Sequence, residues 1–404
     1  MNNDYVAEIL RATGSLRTGD PAAVSAIIQN ALAAAGLTGS VGAGPPANAN
    51  FGSQLPKTLP AAGHGADLIP PRADRLRKPL SEVINTLRSG GMGLGLEGLP
   101  GLGQPVHVPE PPLPDGAEFL DQRYSCAAGA RRYRFYVPSS AGEGLQGLIV
   151  MLHGCTQSPE DFAAGTGMNA LAEEHRLLVV YPAQTGGDNS MSCWNWFRPG
   201  DQLRDTGEPA IIAGLTESLR DQYAIPKDRV FVAGLSAGGA MAAIMGETYP
   251  ELYGAIGIHS GLAYGSANDV MSAFTAMRGQ VGFETAPPRN GGAPEAAPRT
   301  IVFHGSADTT VHPSNAERII ASHCEGHGKT SRTEHGPSEE TRGYSRLVAE
   351  RDDGTHGLEC WMIDGAQHAW SGGSPGGSYT DQRGPNASEA MVSFFLNGAS
   401  NAAA

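Results

Sequence analysis

Short, predominantly apolar runs recur along the chain beyond residue 146. They are GLIVML (147–152), LLVVYP (177–182), RVFVAG (229–234), AIGIHS (255–260), TIVFHG (300–305) and ECWMIDG (359–365). An uninterrupted apolar run of this length predicts a strand buried on both faces. RRYRFYV (131–137) instead alternates and is rich in β-formers, which predicts an antiparallel strand. Helical spacing of apolar positions falls between the runs, at 166–175, 207–223, 237–249, 313–325 and 385–396. Strand and helix therefore alternate as in repeated βαβ units. The expected architecture is α/β, a mainly parallel sheet flanked by helices.

The texture before residue 113 is different. Residues 36–70 and 89–115 are loaded with Gly, Pro and Ala and read as linkers. Asp20-Pro21 has the form of an N-cap and first helical residue, and Val24, Ile27, Ile28, Ala31 and Leu32 share one helical face. Shorter helices are expected at 3–11 and 80–87. The chain thus divides into a helical, low-complexity N-terminal extension, 1–112, and an α/β domain, 113–399. An apolar helical face this small is expected to pack on another surface, and self-association into a homo-oligomer is one such use.

Composition narrows the functional classes. The 404 residues carry a formal net charge of −13, so nucleic acid is a poor partner. No apolar run approaches the ~18 residues a membrane span needs. The opening MNNDYVAEIL lacks a basic region followed by an apolar stretch, so the expectation from it is a cytoplasmic protein. Five cysteines in a chain this long do not make a disulfide scaffold. His323 and His327 have no further partners at metal-ligand spacing, and no cofactor or metal is expected. GMGLGLEG (91–98) has no strand before it or helix after it, which removes the nucleotide-loop reading.

The chemistry concentrates at Gly234-Leu235-Ser236-Ala237-Gly238, between the strand RVFVA and the helix that follows. A Gly-x-Ser-x-Gly in that context is a nucleophile elbow. Serine needs a base held by an acid. Asp308 and His368 each come just after a strand, on the sheet edge where Ser236 lies, and in the chain order Ser, Asp, His. Asp364 and Asp381 compete less well for the acid: one belongs to its strand and the other to a glycine-rich loop. His259 and His304 also end strands, and are expected to bond backbone locally. The oxyanion of acyl transfer needs two donors. The backbone N–H of Ala237 is one candidate, and that of Cys155 in His153-Gly154-Cys155-Thr156-Gln157 is the other.

HGCTQ (153–157), CWNWF (193–197), GLSAGGAM (234–241), HGSADTTVHP (304–313) and GAQHAWSGG (365–373) together resemble the poly(3-hydroxybutyrate) depolymerase family of esterases. That family is similar to feruloyl and acetylxylan esterases. The resemblance covers roughly residues 116–397, and EILRATGSLRTGDPAAVSAIIQNAL resembles the N-terminal helical region of many bacterial members. It implies the α/β-hydrolase fold and carboxylic-ester hydrolysis, with Ser236, Asp308 and His368 at the triad positions. The ester could be a polyhydroxyalkanoate-type polyester or its oligomers, or a feruloyl, acetyl or aryl ester, and a hydrophobic polyester surface becomes a candidate partner. Because the family is often extracellular, that location stands as the alternative to the cytoplasm. Trp194, Trp196 and Trp370 are candidates for the substrate wall. Cys155 could pair with Cys193 in an oxidising compartment, and Cys324 with Cys360. A serine peptidase of the same fold and a non-catalytic binding protein are the alternative functions.

Overall fold

The computed structural model describes residues 113–280, 297–324, 330–336, 341–351 and 354–397, without the side chains at 323–324 and 330–331. All of these lie within one compact unit, Gly93–Ala404. The helices expected at 3–11, 20–32 and 80–87, the linkers before residue 113, and any self-association through those helices lie outside the described residues.

Ten strands form one sheet. In chain order they are β1 (Glu118–Cys126), β2 (Gly129–Val137), β3 (Gly147–Leu152), β4 (Leu177–Pro182), β5 (Val230–Leu235), β6 (Ala255–His259), β7 (Arg299–Gly305), β8 (Thr330–Gly336), β9 (Tyr344–Glu350) and β10 (His356–Ile363). Their spatial order is β1-β2-β4-β3-β5-β6-β7-β10-β9-β8. The six central strands are parallel, and antiparallel pairs flank them at both edges. A two-stranded ribbon, β11 (Trp370–Ser371) with β12 (Thr380–Asp381), lies beyond the main sheet.

Seven helices are described: α1 (Pro159–Thr166), α2 (Met168–His175), α3 (Gly207–Gln222), α4 (Ala237–Thr248), α5 (Val270–Met277), α6 (Ser314–Cys324) and α7 (Ala387–Asn397). They cover the sheet on both faces, and strand pleating divides the core accordingly. Leu148, Val150 and Leu152 of β3 join a cluster with Ile212, Met241 and Ile319 from α3, α4 and α6. Ile149 and Met151 face the other way, onto Phe162, Met168 and Met391 from α1, α2 and α7. This is the α/β-hydrolase arrangement.

Sequence and structure part company at a few elements. The helix expected over 166–175 begins at Met168, because Gly167 adopts a left-handed conformation (φ 64°) between it and α1, a helix that was not expected. β1, β8 and β9 had no apolar run to announce them, and α5 (VMSAFTAM) was not among the expected helices although most of its positions are apolar; β1 and β8 are edge strands whose residues are half wetted or polar. The pair Cys324–Cys360 is not formed: Cys360 is a free thiol buried in the core. No helix among the described residues is long and apolar enough to cross a membrane.

Candidate active site

Parallel strands carry their carboxyl ends to one edge, and the site is built there. β5 delivers Ser236 into a tight turn with φ 56° and ψ −117°, a conformation that costs a non-glycine residue about 1–3 kcal/mol. Two features hold it. The Ser236 N–H donates to the His259 carbonyl at 2.9 Å, and α4 begins immediately after it. Gly234 and Gly238 are the closest approaches. A Cβ on Gly238 would overlap the Leu152 carbonyl of β3, and one on Gly234 would overlap the Gly238 carbonyl. The motif spacing is therefore a packing requirement: strand, turn and helix pass too near for any side chain.

Asp308 follows β7 and His368 follows β10, and the parallel pairing of those strands brings them together. His368 Nδ1 lies 2.7 Å from Asp308 Oδ2. The other carboxylate oxygen, Oδ1, accepts the N–H groups of Thr310 (2.9 Å) and Val311 (2.8 Å). The Asp308 side chain is fully buried, and that burial pushes its pKa up. The His368 hydrogen bond and charge, with the Val311 N–H and His304, outweigh it and leave the carboxyl below its ordinary value. Asp364 is exposed, and Asp381 is paired with Arg342.

Two further histidines surround this pair. His304 Nε2 donates to the Val311 carbonyl at 2.8 Å, a local bond as expected. His259 has a neighbouring partner, its Nδ1 lying 3.2 Å from Ser260 Oγ, but it also reaches further. Its Nε2 accepts the N–H of Ser371 at 2.9 Å, and its ring stacks on Trp370, 5.0 Å between centroids. Burial, with His304 and His368 nearby, lowers its pKa to about 3, so the ring is neutral and can accept. His259 thereby ties the end of β6 to the segment that carries His368.

A cavity of about 460 Å³ opens at this edge, lined by Ser236, His368, Ala237 and the turn at Gly154 and Cys155. The Ala237 N–H belongs to the first turn of α4, where no helical acceptor exists. In the 153–157 turn, Gly154 N–H is taken by Gln157 Oε1 (3.0 Å) and Thr156 N–H by the Met191 carbonyl (2.8 Å). Between them Cys155 N–H has no protein acceptor among the described residues. The Cys155 side chain is bonded to Cys193 in a disulfide.

Of the three tryptophans, Trp196 alone lines the cavity. Trp194 is fully buried and donates Nε1–H to the His153 carbonyl (3.1 Å), while Trp370 packs on Phe162 and His259 and donates to Ser388 Oγ (3.0 Å). These two serve the core and do not reach the substrate space, because their indole N–H groups find partners inside. The remaining wall is mostly apolar, with Gln157, Asn189, Thr310 and Tyr379 also reaching it, and includes residues the sequence did not single out: Met191, Phe197, Leu262, Val270, Phe274 and Met277. Met191, Val270 and Phe274 are more than half exposed at the rim. The apolar stretch VMSAFTAM (270–277) was a usable signal for Val270, Phe274 and Met277.

The family model described as Esterase PHB depolymerase matches residues 131–346, just over half of the chain. The chain belongs to that family. Among curated relatives, the PHB depolymerase-family chain is 34% identical over 229 residues to poly(3-hydroxyalkanoate) depolymerase C of Paucimonas lemoignei, covering 55% of this chain and 54% of the relative. It is 30% identical over 192 residues to a probable acetylxylan esterase A of Neosartorya fischeri, covering 45% and 51%. The chain thus spans about half the length of the curated relatives it matches. Among solved structures, the acetyl xylan esterase from Aspergillus awamori superposes with a TM-score of 0.53 at 20% identity, over 69% of this chain and 99% of that one, a likeness of fold.

Proposed function

We propose that this chain is a serine esterase that hydrolyses carboxylic esters through an acyl-enzyme. One observation carries the reading. A His368–Asp308 pair and a serine held in a strained elbow open on the same apolar cavity. With Nδ1 engaged by Asp308, His368 has Nε2 free to take the Ser236 proton as Oγ attacks the ester carbonyl. The oxyanion forms against the N–H groups of Cys155 and Ala237. The imidazolium then returns its proton to the departing alkoxide. Water, activated by the same nitrogen, cleaves the acyl-enzyme.

The relatives are named for polyhydroxyalkanoate and acetylxylan substrates. The apolar wall and rim favour a polyhydroxyalkanoate-type polyester or its oligomers over a carbohydrate ester, since few polar side chains are available for sugar hydroxyls. The Cys155–Cys193 disulfide favours the extracellular location over the cytoplasm. The test is a panel of p-nitrophenyl esters, hydroxybutyrate oligomers, acetylated xylan and peptide anilides, run on wild type and Ser236→Ala. Ester turnover is expected to fall about 10⁴-fold or more in the variant with folding intact. Turnover within tenfold of wild type, or wild-type preference for the anilide, would overturn the reading.

A further inference from the structure

Glu208 lies in the first turn of α3, away from the cavity, yet it is 3% exposed. Its carboxylate accepts four donors. Oε2 takes the Asn195 N–H at 2.7 Å; Oε1 takes Asn195 Nδ2 at 2.7 Å, Arg131 Nη2 at 3.4 Å and Gln184 Nε2. A buried carboxylate that collects so many donors fixes whatever carries them. Three of the four donors sit on the segment 184–195, the fourth being Arg131 of β2, and that segment contributes Asn189, Met191 and Cys193 to the cavity wall. That segment is tied at four points to the turn bearing the Cys155 N–H. Cys193 is bonded to Cys155, and its carbonyl accepts Gln184 Nε2 at 3.0 Å. Gln184 N–H donates to His153 Nε2 at 3.0 Å, Trp194 Nε1–H donates to the His153 carbonyl, and Thr156 N–H donates to the Met191 carbonyl.

We infer that Glu208 is a positioning residue for the oxyanion hole, holding the Cys155 N–H in place through Asn195, Gln184 and the Cys193 disulfide. The inference rests on the serine-esterase reading above. Glu208 itself does not line the cavity, so its effect must pass through the wall segment. A donor displaced by a fraction of an ångström still permits binding of the ground-state ester but stabilises the tetrahedral anion less. Loss should therefore appear in kcat and leave KM nearly unchanged.

The experiment uses Glu208→Gln, which keeps the shape but turns an N–H₂ toward other donors, and Asn195→Ala, which leaves the carboxylate and cuts its side-chain link. Both are assayed on a soluble p-nitrophenyl ester, with active sites counted by an organophosphate run to completion. An alkyl boronic acid, which places an oxygen in the oxyanion hole, is titrated in parallel. The expected result is kcat per active site lower by about 10- to 100-fold, KM within about threefold, and boronate affinity falling with kcat. A purely structural role would lower the fraction of active sites and leave kcat per site alone. Wild-type kcat per site in both variants, boronate affinity unchanged while kcat falls, or failure of both to fold would each overturn the inference. An active Ser236→Ala control would instead sink the esterase reading itself.

Discussion

Ser236, His368 and Asp308 come from three different strand ends, and the hydrogen bonds and charges around the third set a pH dependence. Asp308 is held below its ordinary carboxylate value in the folded protein, although burial alone would raise it. Its contribution to stability is therefore present above the unfolded pKa and lost as pH falls through the lower folded one. Asp308→Asn should remove that part of the acid sensitivity and reduce kcat about 10³- to 10⁴-fold, because the imidazole loses its orientation and tautomer. Urea unfolding at neutral pH and below pH 4, beside kinetics at neutral pH, checks both; a variant with wild-type kcat would remove Asp308 from the mechanism. His259 acts in the same direction over a higher range. Its folded pKa of about 3 lies below the ordinary value near 6.5, so the unfolded state binds the extra proton and stability declines from pH 6.5 towards 3. His259→Gln can still accept the Ser371 N–H, and its stability should fall less steeply across that interval. Equal slopes in the two proteins would show that another group is responsible.

Cys155 separates backbone from side chain at the same scale. Cys155→Ala loses the tether to Cys193 but keeps the N–H, and should lose a few-fold in kcat. Cys155→Pro has no N–H to offer and should lose about 10²-fold or more. Equal losses in the two would mean that the disulfide alone accounts for the residue's role.

At the scale of elements, the elbow between β5 and α4 is limited by backbone. An added methyl at Gly238 meets the Leu152 and His153 carbonyls, backbone at the end of β3 and in the turn after it, which cannot swing away as a side chain would. Gly238→Ala should destabilise the fold by about 1–3 kcal/mol and cut kcat by at least tenfold, read by thermal unfolding and initial rates. A neutral substitution would mean that the turn has slack. α5 poses the opposite case. Asp269 and Ser272 form a reciprocal cap that fixes its start, yet Val270, Met271 and Phe274 on it are 53%, 74% and 53% exposed. Apolar side chains left in water beside a cavity mouth fit a role at a hydrophobic surface. Met271→Ser with Phe274→Ser should weaken adsorption to particles of poly(3-hydroxybutyrate) while leaving stability nearly unchanged. Unaltered adsorption in a sedimentation assay would assign α5 to the fold alone.

For the molecule as a whole, all the chemistry described here lies beyond residue 113, and the sheet has its own cores on both faces. A chain beginning at Leu113 should therefore fold and hydrolyse small soluble esters at near the full-length rate. Thermal melts and kinetics of the two chains decide it. Insolubility or lost soluble-ester activity of the shorter chain would place residues before 113 within the catalytic unit.

The central strands and the motif serine were legible from sequence because their signals are local. A strand buried on both faces, such as β3 or β4, must be apolar at every position, and an elbow squeezed between β3 and α4 must have glycine on either side of its serine. Chain order and strand ends were enough to nominate Asp308 and His368. Other features depend on what lies far away in sequence. Glu208 reads as an ordinary acid in a helix's first turn, and nothing local reveals that Asn195, Gln184 and Arg131 converge on it. Trp194 and Trp370 look like substrate walls until their indole N–H groups are seen to be satisfied inside the core. His259 looks local until Ser371, 112 residues on, donates to it. Local sequence determined which segments become strands and where Ser236 sits in its tight turn, since those follow from periodicity and from steric limits on a few neighbours. Which buried polar group meets which was decided by tertiary structure, because partners distant in sequence are brought within hydrogen-bond reach only when the sheet assembles.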